Sequence, residues 1–135
     1  MTEILDLYKC EICGNIVEVV VNGEGELSCC GQPMDLMQAN SIEQELLGEK
    51  HVPIIEETDV GANIRVGSVP HPMEDNHYIV FIEAMSEDKK YLKRKYLFPH
   101  EEPVLKLKCN CHDIVAREFC NIHGLWVSEN KERHV

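Results

Sequence analysis

Short runs of Val, Ile, Leu, Tyr and Phe, separated by Gly, Pro, Asn and Asp, dominate the chain from His51 onward. Runs at 53–58, 62–68, 77–84, 90–97, 103–109, 113–119 and 124–127 have the β-branched and aromatic content of strands. Turn formers part them: Gly61, the stretch Ser68-Val69-Pro70-His71-Pro72, Ser86-Glu87-Asp88, the stretch from Pro99 to Pro103, Asn110, and Gly124. Seven strands at this spacing predict an antiparallel β-sandwich with an immunoglobulin-like layout. In the fifth run, Leu105, Leu107, Cys109 and Cys111 share one face, while Lys106, Lys108, Asn110 and His112 share the other. Cys109 and Cys111 therefore read as small buried hydrophobes.

The pattern before His51 differs. Ile16-Val17-Glu18-Val19-Val20-Val21 predicts a strand and Asn22-Gly23 a turn, but residues 1–38 hold too few apolar groups for a core of their own. They do hold four cysteines, so a bound metal is expected to staple this segment. Residues 39–50 read as a linker with at most a turn or two of helix. The expected organisation is a small metal-stapled domain over 1–38 and the sandwich over 39–135.

Composition narrows the function classes. Of 135 residues, 44% are hydrophobic and 27% charged, as in ordinary soluble globular domains. No apolar run reaches the roughly 18 residues of a membrane span, and the start lacks the basic-then-apolar layout of a signal peptide. The net charge of -11 disfavours a general nucleic-acid binder, because such a surface repels phosphates. Seven cysteines and seven histidines are the informative excess. In a reducing cytoplasm, the expected location, such cysteines are metal ligands more often than disulfides.

Cys10 and Cys13 form a C-x2-C pair, and Cys29-Cys30 supply two more thiolates. Four soft sulfurs suit zinc or a single iron, and the spacing does not choose between them. The second pair is adjacent rather than spaced, so the tetrahedron should be distorted. In the sandwich, His51, His71, His77 and His123 fall at turns or strand edges, and Cys120-Asn121-Ile122-His123-Gly124 is a C-x2-H loop ending in glycine. The proline after His71 holds that residue extended. Any one of these histidines alone would more often be a surface or hydrogen-bonded residue. Together, four imidazoles and one thiolate exceed the ligand set of structural zinc and favour five-coordinate iron with an open sixth position.

Those residues carry a resemblance. Cys10-x2-Cys13, Cys29-Cys30-Gly31-Gln32-Pro33-Met34, Glu49-Lys50-His51-Val52-Pro53, Gly67-Ser68-Val69-Pro70-His71-Pro72-Met73, His77 and Cys120-Asn121-Ile122-His123-Gly124 resemble desulfoferrodoxin, the two-iron type of superoxide reductase. The resemblance implies a mainly β protein: a desulforedoxin-like N-terminal domain with one iron on Cys10, Cys13, Cys29 and Cys30, then an immunoglobulin-like sandwich. It further implies a second iron with His51, His71, His77 and His123 equatorial and Cys120 axial. Lys50 would attract superoxide and help protonate the product, and Glu49 would fill the sixth position after oxidation. A homodimer and a small electron donor such as rubredoxin also follow from the resemblance. Alternatives are an electron-transfer iron protein without superoxide turnover, or a zinc-binding module.

Other features remain outside this pattern. Lys89-Lys90-Tyr91-Leu92-Lys93-Arg94-Lys95 reads either as an edge strand protected by charge or as a docking patch for an acidic electron donor. His100 and His134 read as exposed, and the lone Trp126 as a packing residue.

Overall fold

The structure is a computed structural model and describes residues 1–40, 51–67, 71–108 and 113–128. The chain divides into two compact units, Met1–Gln38 and Ala39–Val135.

In the first unit, β1 (Leu7–Lys9) is the middle strand of an antiparallel sheet, flanked by β2 (Ile16–Glu18) and β5 (Asp35–Leu36). A second small hairpin joins β3 (Ser28–Cys29) to β4 (Gln32–Pro33). Its buried apolar side chains are few: Leu7, Cys10 and Val19. The expected strand over 16–21 is shorter than the sequence pattern suggested and ends at Glu18. Val20 and Val21 are 78% and 83% exposed. With no second layer to cover them, β-propensity alone does not extend the strand.

In the second unit the seven strands form two antiparallel sheets. One has the order β10–β7–β6, from Val104–Lys108, Gly61–Val66 and Pro53–Thr58. The other has the order β12–β11–β8–β9, from Gly124–Val127, Ile114–Cys120, Ile79–Ser86 and Leu92–Tyr96. All seven strands start and end within two residues of the runs read in the sequence, and β6 and β12 coincide with theirs. Along β7, Ala62, Ile64 and Val66 are buried while Asn63 and Arg65 are half-exposed, the alternation of a sheet with one covered face. Ile64 and Val66 meet Ile79, Ile82, Ala84, Leu97, Leu105, Ala116 and Cys120 in one core. Each fully buried Ile or Leu there contributes roughly 1.5–3 kcal/mol. Leu105 and Leu107 face this core and Lys106 and Lys108 face outward, as expected, while Cys109, Cys111 and His112 lie outside the described residues.

The cationic run on β9 is largely committed to the fold. Lys93 and Lys95 donate from Nζ to the carbonyls of Lys106 (3.3 Å) and Val104 (3.2 Å) on β10. Two lysines at strand spacing thus meet two carbonyls at strand spacing, closing an edge that would otherwise offer free acceptors to another chain. Arg94 points to the opposite face. There the cross-strand row Arg117, Glu83, Arg94 places Glu83 Oε2 3.2 Å from Arg117 and 3.3 Å from Arg94. Glu83 is fully buried, so two guanidiniums compensate one desolvated carboxylate. Removing a single partner from such a group is costly. Glu83→Ala is expected to lower the unfolding free energy by about 3 kcal/mol, measured by urea denaturation of the full chain.

Candidate metal centres

Both candidate centres begin with the same backbone device. In the β1–β2 turn, the amide of Cys13 points at Cys10 Sγ (3.5 Å), the Gly14 amide donates to the Cys10 carbonyl (2.9 Å), and Gly14 has φ +82°. In the β11–β12 turn, the amide of His123 points at Cys120 Sγ (3.4 Å), and Gly124 has φ +85°. In each turn the residue three after the cysteine turns its N–H onto the sulfur. Only a glycine adopts the following left-handed position without strain. An N–H aimed at sulfur favours the thiolate that a metal requires.

The first cluster is completed at the β3–β4 turn. Cys30 itself has φ +53° and Gly31 φ +77°. This pair of left-handed residues lets adjacent cysteines aim their sulfurs at one place: Cys29 Sγ lies 3.6 Å from Cys13 Sγ and 3.9 Å from Cys30 Sγ. All four sulfurs lie within 4.8 Å of one another. Cys10 is buried, Cys29 half-buried, and Cys13 and Cys30 exposed. Donation from the Cys13 amide holds the Cys10 thiol down at about 7, whereas hydrogen bonds among the sulfurs push Cys29 up to about 12. Cys10 therefore becomes a thiolate before Cys29.

The second cluster draws on four separate segments. His51 precedes β6, His71 follows β7, His77 precedes β8, and Cys120 and His123 flank the β11–β12 turn. Their donor atoms also lie within 4.8 Å of one another. The rings form a closed cycle, with centroid separations of 4.6 Å (His51–His71), 4.9 Å (His71–His77), 5.1 Å (His77–His123) and 4.8 Å (His123–His51). Neighbouring planes are turned by 64–81°, so the imidazoles stand edge to face around a common centre. His51 and His71 bring their Nε2 atoms to 3.0 Å, and His123 turns Nδ1 toward Cys120 Sγ at 3.9 Å. Two nitrogens at that distance, with burial holding His71 neutral, form a donor set suited to a cation.

Several residues not singled out in the sequence hold this cycle together. His71 Nδ1 lies 2.6 Å from the Pro72 carbonyl, which makes Nδ1 the protonated nitrogen and leaves the Nε2 lone pair facing the cluster. His77 sits at the end of a tight hairpin, with backbone hydrogen bonds both ways between Glu74 and His77 (2.9 and 3.2 Å). Asn121 ties this hairpin to the cysteine loop: its Oδ1 accepts from the Tyr78 amide (2.9 Å), and its Nδ2 donates to the Asn76 carbonyl (3.1 Å). A register shift between Phe119 and Cys120 pairs Cys120 with Ile79, and both join the core. Bulges of this kind re-aim side chains at functional sites.

Electrostatics follows from burial. Cys120 is fully buried, and its thiol is pushed up, first by burial and also by nearby Glu118. Glu118 is fully buried too, and neither carboxyl oxygen has a hydrogen-bond partner among the described residues. Burial raises it well above the usual carboxylate range. Strand alternation, which sets residues two apart on one face, was the available signal for it. Glu49 and Lys50 lie outside the described residues. His100 is exposed as expected and pairs with Asp75 at 3.1 Å, and His134 lies outside the described residues.

Residues 2–37 match the desulfoferrodoxin N-terminal domain and residues 43–129 match desulfoferrodoxin itself. A desulfoferrodoxin of Desulfarculus baarsii is 49% identical over 130 residues, which is 96% of this chain and 100% of the relative. The chain belongs to the desulfoferrodoxin family. A superoxide reductase of Pyrococcus abyssi is 31% identical over 99 residues, covering 61% of this chain and 86% of that protein. The superoxide reductase of Treponema pallidum shares the fold with a TM-score of 0.68 at 22% identity, covering 96% of this chain and 100% of that one. Within the family, the sulfur cluster and the His4Cys cluster are the candidate sites of the two mononuclear irons.

Burial holds His71 neutral down to about 4, against 6.5 for a free imidazole. Between those values the unfolded chain binds a proton that the folded one refuses, so stability falls as the pH drops through that window. The metal-free protein is therefore expected to lose stability from pH 6.5 toward 4. The urea midpoint against pH checks this, and His71→Gln should make the fall shallower.

Proposed function

We infer that this protein is a superoxide reductase, carrying out one-electron reduction of superoxide to hydrogen peroxide at a ferrous His4Cys site that an external donor re-reduces. The observation that carries this reading is the closed cycle of four imidazoles around the buried thiol of Cys120. Five donors would leave a bound iron open to a small ligand, whereas a site built only for electron transfer gains from being closed. Iron bound there supplies one electron to superoxide, which takes up two protons to become hydrogen peroxide.

The residues divide the remaining tasks. His51, His71, His77 and His123 ligate as neutral donors, so that with one thiolate the ferrous site keeps a single positive charge for an anionic substrate. Cys120, as a thiolate, would push electron density toward an iron held by these residues and favour its oxidation. The chain as a whole is at -11, and two irons balanced by five thiolates leave that unchanged. Long-range attraction of superoxide therefore needs local positive charge, and Lys50, next to His51, supplies it and helps protonate the product. Glu49, two residues before His51, would supply a carboxylate to the same iron. Cys10, Cys13, Cys29 and Cys30 hold the other iron, whose two exposed thiolates suit exchange of electrons with a partner.

The protein works as a homodimer in the cytoplasm, with a small donor such as rubredoxin. No helix among the described residues is long and apolar enough to cross a membrane.

Rapid mixing of anaerobically reduced protein with superoxide tests the reading. The expected result is growth of a thiolate-to-ferric absorption band with release of peroxide and no dioxygen. Absence of reaction with both irons bound would overturn it. Lys50→Ala should slow the encounter and flatten its ionic-strength dependence with both irons retained. Cys13→Ser should disturb the first iron yet leave the pre-reduced second site reactive.

A further inference from the structure

Trp126 is the only tryptophan of the chain, and it is 1% exposed, on β12 two residues after Gly124. Its ring stacks on the imidazole of His51, with centroids 4.9 Å apart and planes at 19°. Its Nε1–H donates to the carbonyl of His123 at 3.1 Å. One side chain thus touches two candidate ligands that lie 72 positions apart in sequence, one through its face and one through its edge.

The indole is itself well fixed. Its backbone forms a parallel bridge with Asn40 on one side, through Asn40 N to Leu125 O (2.8 Å) and Val127 N to Asn40 O (2.9 Å), and pairs with Glu118 of β11 on the other. A buried indole has two side-chain torsions and a single donor, so a ring held this way transmits its position to whatever it contacts.

We propose that Trp126 is the positioning residue of the His4Cys centre, setting the ring plane of His51 and the backbone of His123 at the same time. This rests on the His4Cys site described above. The two contacts differ in kind. Stacking opposes rotation of the His51 ring about its Cβ–Cγ bond, which would swing Nε2 away from its neighbour on His71. The bond to the His123 carbonyl acts on the peptide just before Gly124. His123 faces Cys120 through Nδ1, the ring nitrogen nearer the backbone, so a small shift of that peptide moves the donor atom almost directly. Partners of this kind, one step removed from a metal, typically change metal affinity 10–100-fold when replaced.

Iron-loaded, full-length Trp126→Phe and Trp126→Leu separate the two contacts. Phe keeps a ring over His51 and loses the N–H donor, whereas Leu loses both. The readouts are the chelator concentration that removes half of the His4Cys ferrous iron and the position of the thiolate-to-ferric band. Iron on the four cysteines serves as an internal control in the same sample. Trp126→Phe is expected to release the His4Cys iron at a clearly lower chelator concentration with a shifted band, and Trp126→Leu at roughly one-tenth of the wild-type concentration. The cysteine-bound iron should be unaffected in both. A Trp126→Phe protein with the wild-type chelator midpoint and an unshifted band overturns the proposal, whether or not Trp126→Leu folds. Neither readout uses superoxide, so failure of the reductase reading would show separately, as a wild-type protein that holds iron but does not turn over.

Discussion

The sulfur of Cys120 belongs at once to the hydrophobic core and to the donor cluster, and the rest of the second unit depends on that double membership. It packs with Ile64, Ile79, Ile82 and Leu105, all nearly or fully inaccessible. Among such neighbours a thiolate without a cation is unfavourable, and the thiol is correspondingly pushed up. Metal binding is then the condition under which this group becomes anionic, so the charge on the sulfur and the presence of the metal are tied together.

The two centres use one local device with opposite surroundings. An N–H from the third residue after a cysteine, followed by a left-handed glycine, forms both turns. Around Cys10 the turn lies at the surface of a unit with three buried apolar side chains, where the cluster itself must hold the strands together. Around Cys120 it lies at the end of β11, an inner strand of a sheet whose fold is already paid for by apolar burial. The second centre therefore adds little to folding and can keep a coordination position for chemistry, which a structural staple cannot.

The fate of the basic run shows how tertiary structure reassigns a surface feature. Lys93 and Lys95 seal the β10 edge and Arg94 compensates Glu83, so three of its cations serve the sandwich. An edge protected by charge accounts for them without a docking partner. The choice between the two readings could not be made from the run alone, because it depends on β9 and β10 being brought edge to edge.

What the chain determines by itself is mostly local. Strand alternation, the C-x2-C and C-x2-H turns, and the left-handed glycines after them involve residues a few positions apart, and short-range sterics and hydrogen bonding decide them. The same locality misled over Ile16–Val21, where propensity continued but the covering layer did not. The closed order of His51, His71, His77 and His123, the register shift that pairs Cys120 with Ile79, the grip of Asn121 on the His77 hairpin and the stack of Trp126 on His51 join segments up to 75 positions apart. Spacing carries no information about such distances. They are decided only when two sheets pack face to face, because that packing alone sets which strand ends meet.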